Sequence, residues 1–569
     1  MQAAPSRALP SRSSADLGKV PAPMRSEDKE RAVTEVKSRV VHELFRRRDA
    51  GATPIDEILA EAIYQEQRRL ADEGGSERAE GDRRFWKDIR SRLWRASDRT
   101  QRELLEQVVG HYAEEIVGNF DPRVYSVVTR AGPPALGLLL NAVSPKRLLA
   151  GIPGLPSIDD ALVVDGEVEH LRRLRERGTV ILIPTHVSNL DSIIIGYAIY
   201  RMGLPPFVYG AGLNLFSNPM IGYFMHNLGA YTVDRKKTDP LYKEVLKSYA
   251  AVTLELGYDN IFFPGGTRSR SGAVEAKLKL GLLGTGISAS VRNLRRQAPK
   301  PKLFVVPATL SYELVLEAET LVDDFLKDVG KSRYIISDDE FSQPRRVFDF
   351  VTSLMSLESK IHVTVSRGMD VFGNPVDDEG QSLDPRGRTI DWTRFLLDDA
   401  GEVVEDDARD AEYTREVGER AAAAFRASTV VFATHVAARA VFGLLRKATP
   451  RLPLIRLVRS GGAEDDVELS EALDAIERLL GELRALAQSG RTRLEARIQH
   501  ARADEVLADA LRHFGSYHTT PALTRRGDRL FCTDRNLVFY YQNRLEGLGV
   551  WPEPELPKAL SADHRALGC

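Results

Sequence analysis

The chain has 569 residues, of which 43% are hydrophobic and 28% are charged, and its formal net charge is −2. This length and composition are typical of a globular protein with large buried cores and more than one domain. A charge so close to neutral gives no general reason to expect nucleic acid as a partner, so an anionic ligand needs a local cluster of positive side chains.

Cysteine usage and hydropathy set further limits. Cys532 and Cys569 cannot form a disulfide framework or a thiolate metal site, which favours a reducing cytoplasm. No apolar run approaches the roughly 18 residues of a membrane-spanning helix. Residues 1–26 lack the apolar core of a secretory signal and are predicted to be disordered. If such a protein handles lipid, it does so from the membrane surface.

The region that follows, residues 27–150, is predicted to be helical. Val33, Val36, Val40 and Leu44 recur at helical spacing, and helix-on-helix packing is the expected use of such a stripe. Within this region, residues 73–84 are charged and contain glycine, which predicts a linker.

Short apolar strands alternate with helices in residues 151–377. This alternation predicts an α/β domain with flanking helices around a central sheet that is mixed but largely parallel. Folds of this class place ligands in the loops at strand ends. The predicted strands are residues 180–183, 206–209, 230–233, 260–263, 304–310 and 361–365.

Three further segments complete the chain. Residues 378–410 are polar and acidic and predict a linker or surface excursion. Residues 411–550 are predicted to be mainly helical. Residues 551–569 are predicted to form a tail.

The first predicted strand of the α/β domain leads into a polar loop. Ser188 or Asn189 is predicted to cap a helix that begins near Leu190. His186 therefore lies in the loop, and Asp191 lies in the first turn of the helix.

His186 and Asp191 can meet across this bend. The carboxylate would then fix the tautomer of the imidazole and stabilise its charged form, as a general base requires. About one such His-x-x-x-x-Asp spacing is expected by chance in a chain of this composition, so a structural histidine is the alternative.

Two later strands end in positive clusters. GAYTVDRKK ends in Arg235 and two lysines, and FFPGGTRSRSG carries Arg268 and Arg270 in a glycine turn. Glycines let the backbone approach a ligand, and arginines offer bidentate forks for phosphate. The turn also fits a solvated loop, and it is not a P-loop, because no Gly-Lys-Ser/Thr opens a helix. The other residues of this predicted phosphate cradle are Gly266, Thr267, Ser269 and Ser271.

Three neighbouring features are less specific. Lys277 and Lys279 follow on a predicted helix and add positive charge, although an exposed helical face is the usual place for lysine. Pro307 is predicted to interrupt a strand end and shape a turn. Residues 292–302 form a basic loop suited to an anionic membrane surface, an acidic carrier protein or coenzyme A phosphates, and a solvated loop is the alternative.

Together these clusters resemble the four blocks of the glycerolphosphate acyltransferase family, most closely its long glycerol-3-phosphate 1-O-acyltransferase branch. HVSNLD resembles the His-x-x-x-x-Asp block, and GAYTVDR resembles the glycine-containing strand that ends in Arg. FPGGTRSRSG resembles the Phe-Pro-Glu-Gly-Thr-Arg-Ser block, and VVPATLSYE resembles the apolar strand with Pro. The order also agrees, and the resemblance is clearest over residues 178–313. One position departs from the pattern: Gly265 stands where the third block carries Glu.

The resemblance implies a role for each matching residue. His186 would take the proton from an acceptor hydroxyl as that hydroxyl attacks an acyl thioester, and Asp191 would hold the imidazole. Backbone N–H groups near the helix start are expected to stabilise the oxyanion. No Gly-x-Ser-x-Gly elbow is present, which favours direct transfer over an acyl-enzyme. The acceptor phosphate would be bound by Arg235, Arg268, Arg270 and Lys279, and Pro307 would shape the acyl-donor side.

The resemblance therefore implies an acyltransferase that moves a fatty acyl group from acyl-CoA or acyl-carrier protein to the sn-1 hydroxyl of glycerol 3-phosphate, giving lysophosphatidate in phospholipid biosynthesis. No cofactor and no metal are expected, and the expected place is peripheral, on the cytoplasmic side of a membrane. The alternatives are a dihydroxyacetone-phosphate or lysophosphatidate acyltransferase, and a catalytically silent lipid-binding scaffold. A metal-dependent hydrolase is disfavoured, because the sequence offers no second cluster of ligands beside His186 and Asp191.

Overall fold

The computed structural model describes residues 26–71, 77–130, 161–213, 219–329, 346, 359–459 and 465–552. The predicted disorder of residues 1–25 and most of the predicted tail, residues 553–569, lie outside the described residues.

Helices make up the first part of the described chain. They are α1 (Ser26–Asp49), α2 (Ile55–Ala71), α3 (Glu77–Leu93), α4 (Asp98–Ile116) and α5 (Pro122–Arg130). The linker prediction for residues 73–84 is wrong from Glu77 onward, because α3 begins there. Ala79, Trp86 and Ile89 of α3 are buried, so a narrow apolar stripe holds this highly charged segment against the other helices.

The predicted mixed and largely parallel sheet is confirmed. Its strands are β1 (Leu162–Gly166), β2 (Thr179–Pro184), β3 (Val208–Gly212), β4 (Ala230–Val233), β5 (Asn260–Ile261), β6 (Leu303–Tyr312), β7 (Ile361–Val365) and β8 (Met369–Asp370). The order is β1-β7-β6-β2-β5-β3-β4, with β8 beside β6. β6 runs antiparallel to β7 and β8, and the other neighbours are parallel.

Helices flank this sheet, as the alternation of elements predicts. They are α6 (Val168–Arg177), α7 (Asp191–Arg201), α8 (Pro219–Asn227), α9 (Pro240–Glu255), α10 (Thr285–Arg295) and α11 (Ala318–Val329). Every residue of the central strands β2 and β6 is buried, which is the environment of a parallel sheet covered on both faces.

The prediction that Pro307 interrupts a strand is wrong. β6 continues through Pro307, which is buried and pairs with Ile183 of β2. On the other edge of β6, β8 pairs with residues up to Val305, and β7 pairs with residues from Ala308 onward. Pro307 lies in the gap between these two partners, where no residue of β7 or β8 stands opposite it.

The rest of the chain combines short strands with helices. Residues 378–410 include a hairpin of β9 (Ser382–Leu383) and β10 (Thr389–Ile390) and a 3-10 helix (Trp392–Leu396). The later elements are α12 (Asp407–Ser428), β11 (Val430–Val431), α13 (Ala433–Ala448), α14 (Leu454–Arg459), β12 (Asp466–Glu468), α15 (Leu469–Gln488), β13 (Arg493–Leu494), a 3-10 helix (Ala496–Ile498), α16 (Ala503–Phe514), β14 (Leu523–Arg526), β15 (Arg529–Cys532), α17 (Arg535–Gln542) and a 3-10 helix (Asn543–Leu545).

Both flanking regions share a core with the sheet. One continuous apolar cluster joins Leu182 of β2 and Phe304 of β6 to Val441 of α13 and Tyr541 of α17. A second cluster fills the space between the N-terminal helices and α9, where Tyr112 is fully buried. The sheet is therefore held from both sides by elements outside the α/β layer. None of the described helices has the length and apolar character that crossing a membrane requires.

Candidate active site

The loop between β2 and α7, residues 185–190, lies at the carboxyl end of the parallel strands, where α/β folds hold ligands. We call it the His186 loop. All of its residues are buried. The Thr185 N–H donates to the Ala308 carbonyl at 3.0 Å, and the Thr185 hydroxyl oxygen accepts the Leu310 N–H at 2.9 Å. The first residue of the loop is therefore fixed to β6.

The structure brings the predicted histidine and aspartate together. Nδ1 of His186 lies 2.9 Å from Oδ2 of Asp191. The same oxygen accepts the N–H groups of Val187 at 2.5 Å and Ser188 at 2.9 Å. The other oxygen, Oδ1, accepts the Tyr312 hydroxyl at 2.6 Å. Asp191 is fully buried, so these contacts hold its carboxylate in one orientation against the imidazole.

The ring of His186 is held in one orientation, and its surroundings favour the neutral imidazole. Phe263 stacks on it, with ring centroids 4.4 Å apart and planes 27° from parallel. Because Asp191 accepts at Nδ1, the single ring proton of the neutral imidazole lies there and Nε2 keeps its lone pair. Burial lowers the pKa of His186, against the opposing effect of Asp191, and the positive charges of Arg235 and Arg268 lower it further. The ring can therefore accept a proton at Nε2 near neutral pH.

The backbone N–H groups of the His186 loop already have acceptors inside the protein. These groups are therefore engaged within the loop as it is folded here, and the expectation that N–H groups near the helix start stabilise an oxyanion stays a prediction. The acceptors are the Ala308 carbonyl for Thr185, Oε1 of Glu275 for His186 at 2.7 Å, Oδ2 of Asp191 for Val187 and Ser188, Oε1 of Glu317 for Asn189 at 3.0 Å, and Oγ of Ser188 for Leu190 at 3.1 Å.

The predicted cap of α7 also differs. The helix begins at Asp191 with Leu190 as its N-cap, and no side chain makes a capping hydrogen bond there. Ser188 instead donates its hydroxyl to Oε2 of Glu317 at 2.8 Å. The Ser188 hydroxyl thus serves the loop, where it also accepts the Leu190 N–H.

A second loop, residues 262–284, joins β5 to α10, and we call it the arginine loop. The Ser269 N–H donates to the His186 carbonyl at 2.8 Å, which fastens this loop to the His186 loop. Gly266 and Gly272 have φ angles of +72° and +82°, in the region that favours glycine. At Gly272, a Cβ atom would lie 2.1 Å from the Tyr540 carbonyl oxygen, so the glycine also permits close contact with α17.

The prediction that Lys277 and Lys279 lie on a helix is wrong, because α10 begins only at Thr285. The Lys279 N–H donates to the Pro264 carbonyl at 2.7 Å, across the arginine loop. Repeated glycines in KLKLGLLGTG lower helix propensity, and this cross-loop bond gives the backbone another arrangement.

Two of the predicted phosphate-binding arginines, Arg235 and Arg268, act on His186 through their positive charges. Arg268 lies with Nη1 3.5 Å from Oε1 of the buried Glu317. The side chain of Arg235 is exposed to solvent over part of its length. The protein around its guanidinium group removes some hydration, and this partial burial together with the charge of Arg268 lowers the pKa of Arg235. Since both guanidinium charges lower the pKa of His186, all three side chains share one electrostatic environment.

Lys279 adds a third positive charge to this environment. Burial lowers the pKa of Lys279, and the charges of Arg235 and Lys243 lower it further. A Cβ atom on Gly266 would lie 2.5 Å from Cδ of Lys279. The absence of a side chain at Gly266 therefore leaves room for the aliphatic part of Lys279. Neighbouring positive charges destabilise one another's protonated states, and a negative ligand bound between them relieves this repulsion. The region therefore attracts an anionic ligand.

Other predicted binding residues are used differently. Arg270 forms an ion pair with Asp328 of α11. The Ser269 hydroxyl donates to the Ala273 carbonyl at 2.6 Å, and Thr267 is exposed. In this conformation, these groups brace the arginine loop or face its outer side.

Sequence reasoning missed four residues around the pair. Tyr312 lies inside the predicted fourth block, whose polar residues offered a signal, and Glu317 lies four residues beyond that block. For Glu275, the only signal in the sequence was its position after the glycine turn. Arg544 comes from the last 3-10 helix and is buried; its positive charge lowers the pKa of Glu275 against the raising effect of burial. Nothing local in the sequence connects residue 544 with the pair.

Two groups of described residues have imidazole and carboxylate atoms close enough together to suit a metal ion. Neither includes His186 or Asp191, so within the described ranges the pair has no additional metal ligands. The groups are Asp82, His111 and Glu115, and Glu313, Asp509 and His513.

The segment that carries this site matches a known family. Residues 166–311 match the family model described as acyltransferase. The match runs from the end of β1 almost to the end of β6, and so contains both the His186 loop and the arginine loop.

Curated relatives agree with this match. A glycerol-3-phosphate acyltransferase of Aeromonas hydrophila subsp. hydrophila is 32% identical over 211 residues, which are 37% of this chain and 23% of the relative. A glycerol-3-phosphate acyltransferase of Pseudomonas syringae pv. syringae is 27% identical over 397 residues, which are 67% of this chain and 40% of the relative. The matches span less than half the length of these relatives. They confirm the resemblance to glycerolphosphate acyltransferases.

A solved structure also matches. It is the crystal structure of the 1-acyl-sn-glycerophosphate (LPA) acyltransferase from Thermotoga maritima, with a TM-score of 0.24 and 14% identity over 52% of this chain and 91% of that chain.

Proposed function

We propose that the chain is an acyltransferase that moves a fatty acyl group from a thioester donor to the sn-1 hydroxyl of glycerol 3-phosphate. One observation carries the proposal: a neutral imidazole, held by a buried carboxylate, lies in the same electrostatic environment as two guanidinium groups. This arrangement combines a base for a hydroxyl with a positive region for a phosphate on the same small acceptor.

The base acts on the acceptor hydroxyl. An alcohol of high pKa is a poor nucleophile unless its proton is removed as it attacks. Nε2 of His186 takes that proton while the acceptor oxygen forms a bond to the thioester carbonyl carbon. Asp191 stabilises the resulting imidazolium through the 2.9 Å contact at Nδ1. The bond from carbon to sulfur then breaks, and the leaving thiolate takes the proton from the ring.

The positive side chains hold the acceptor. Arg235, Arg268 and Lys279 would together bind the phosphate. Holding the phosphate in one place also places the reacting hydroxyl of the same acceptor relative to His186. Two phosphate-containing alternatives, dihydroxyacetone phosphate and lysophosphatidate, can meet the same cations. The names of the relatives favour glycerol 3-phosphate among the three.

We also propose acyl-CoA or acyl-carrier protein as the donor and the surface of a membrane as the place of reaction. The expected product, lysophosphatidate, is amphipathic, and an interface accepts such a product more readily than bulk water does. Assays with palmitoyl-CoA and palmitoyl carrier protein, each with and without anionic phospholipid vesicles, test both statements.

The central test uses the purified full chain with labelled glycerol 3-phosphate and palmitoyl-CoA. The wild type should form labelled lysophosphatidate. His186→Ala should lower kcat by about 10²–10⁴-fold, the range typical of a lost general base, without changing the thermal midpoint greatly. His500→Ala is the matched control, because His500 is an exposed histidine far along the chain from this site, and it should keep full activity.

The other outcomes separate the alternatives. Unchanged turnover in His186→Ala would remove the base from the mechanism. Preference for another acceptor would keep the chemistry and change the substrate. Binding of palmitoyl-CoA without any product in the wild type would identify a catalytically silent scaffold, and loss of activity with a chelator would favour metal chemistry.

A further inference from the structure

A carboxyl group occupies the space beside Gly265. If Gly265 carried a side chain, its Cβ atom would lie 2.8 Å from Oε1 of Glu275, 3.2 Å from its Cγ and 3.3 Å from its Cδ. The φ angle of Gly265 lies outside the left-handed region, so its backbone does not require glycine. Gly265 therefore matters because it lacks a side chain and leaves room for the Glu275 carboxyl, and not because of its backbone angles.

That carboxyl group holds the His186 loop. Oε1 of Glu275 accepts the N–H of His186 at 2.7 Å. This N–H belongs to a buried loop, where an unpaired donor costs free energy, and it lies on the residue whose ring must be aimed at the substrate. The bond therefore links the arginine loop to the backbone of the proposed base itself.

The protonation of Glu275 suits this place. Burial raises the pKa of Glu275 to about 8, partly offset by the His186 N–H and the positive charge of Arg544. Near pH 7 the group is largely a neutral carboxylic acid, which accepts the N–H without adding a second negative charge beside Asp191.

From these contacts we infer that Glu275 is a positioning residue for His186, and that it supplies, from ten residues downstream, the carboxyl group that the related block carries at the position of Gly265. The expected effect of Glu275 on catalysis rests on the proposed function. The structural coupling between positions 265 and 275 does not depend on that function. Residues 265 and 275 act as one unit: the first provides the space, and the second provides the group.

The unit can be tested by exchanging its two members. Gly265→Glu alone places a side chain within contact distance of the Glu275 carboxyl, so it should lower both the thermal midpoint and kcat. Glu275→Ala alone should lower kcat by about 10- to 100-fold, as expected when a base is misplaced by a fraction of an ångström to an ångström, while KM for both substrates changes by less than about threefold. The double variant Gly265→Glu/Glu275→Ala should recover at least half of the loss in the thermal midpoint caused by Gly265→Glu, and should have a higher kcat than either single variant.

A conservative variant separates positioning from packing. Gln has the shape of a protonated Glu and its amide oxygen can accept the His186 N–H, so Glu275→Gln should keep kcat within about threefold of the wild type. Lys277→Ala is the control for disturbance of the same loop, because Lys277 is exposed, and it should behave as the wild type. The inference is overturned if Glu275→Gln is as impaired as Glu275→Ala, if Glu275→Ala keeps wild-type kcat, or if the kcat of the double variant does not exceed that of both single variants.

The thermal measurements keep this inference apart from the proposed function. If the wild type transfers no acyl group, the proposed function fails, but the thermal midpoints of the four proteins still report whether positions 265 and 275 are coupled. Additive changes in the midpoint would overturn the inference in that case. Non-additive recovery would support its geometric part.

Discussion

The two loops that meet at His186 are built in opposite ways. The His186 loop is buried, lies between a fully buried strand and a helix, and has an internal acceptor for each of its backbone N–H groups. The arginine loop is partly exposed, turns at glycines with positive φ, and is fastened to the rest of the site by a small number of bonds. The first loop is suited to hold one side chain in one orientation, and the second to receive a charged ligand.

This difference shows how the site divides its work. A general base must be held in a fixed direction before the substrate arrives, because small displacements of a base are costly. A phosphate-binding loop needs open positive groups instead, and such groups repel one another until an anion is present. The lowered pKa values of Arg235 and Lys279 record this repulsion together with burial. Two hydrogen bonds link the loops at the backbone of His186: its N–H donates to the side chain of Glu275, and its carbonyl accepts the Ser269 N–H.

The largest expected effect lies in the buried loop. Asp191→Asn keeps the size of the side chain, and its amide oxygen can face the three N–H donors while Tyr312 reverses its hydroxyl to accept from the amide nitrogen. What is lost is the negative charge that stabilises the imidazolium, so kcat should fall by about 10²–10⁴-fold. The measurement is steady-state kinetics beside a thermal unfolding curve.

Tyr312→Phe is the matched control for that change. It removes one donor to the same carboxylate and leaves the charge in place, so its kcat should fall by about tenfold, the lower end of the cost of a hydrogen bond to a charged group. Equal losses in the two variants would mean that orientation, rather than charge, is the contribution of Asp191.

The comparison also explains what the sequence could predict. The buried loop follows a strand with an uninterrupted apolar run, and its His and Asp lie five positions apart, so strand, loop and pair could all be read locally. The strands at residues 230–233 and 361–365 were predicted at their observed bounds for the same reason. Each of these elements is determined by neighbours in the sequence.

What could not be predicted depends on distant contacts. Glu275, Glu317 and Arg544 reach the pair from three separate elements, and no local pattern marks them. Lys277 and Lys279 were predicted to lie on a helix, because the bond from the Lys279 N–H to the Pro264 carbonyl forms only once the arginine loop has folded. Residues 77–84 were predicted to form a linker because the sequence shows their high charge. The packing of this part of α3 against α2 and α4 cannot be read from the sequence.

The next largest effect lies in the open loop. Arg268→Ala should raise KM for glycerol 3-phosphate by about 10- to 100-fold, the worth of a charge-assisted hydrogen bond to phosphate, with KM for the acyl donor within about twofold. A defect confined to the acyl donor would place Arg268 on the other substrate. Thermal unfolding is needed alongside, because Arg268 also lies beside the buried Glu317.

Arg270→Ala is the matched control, with the same chemical change two residues away. Because Arg270 pairs with Asp328 of α11, this variant should change KM for glycerol 3-phosphate by less than about threefold, the effect typical of an exposed ion pair. An increase equal to that of Arg268→Ala would mean that the arginine loop rearranges when the acceptor binds and releases Arg270 from Asp328, as the family resemblance implies for this residue.

The smallest expected effect is a shift in the pH dependence of kcat/KM, which reports the free enzyme. His186 must be neutral to accept a proton, so the rate should rise with pH through the pKa of His186 and then level off. Burial, Arg235 and Arg268 lower this pKa against the effect of Asp191, so the acid limb should lie below the usual value of about 6.5. Removing the charge of Arg268 should move the limb to higher pH, and Arg270→Ala should leave it in place. Glu275, with a pKa of about 8, stays protonated over this range. A limb that moves equally in both variants, or in neither, would show that the two loops do not share one electrostatic environment.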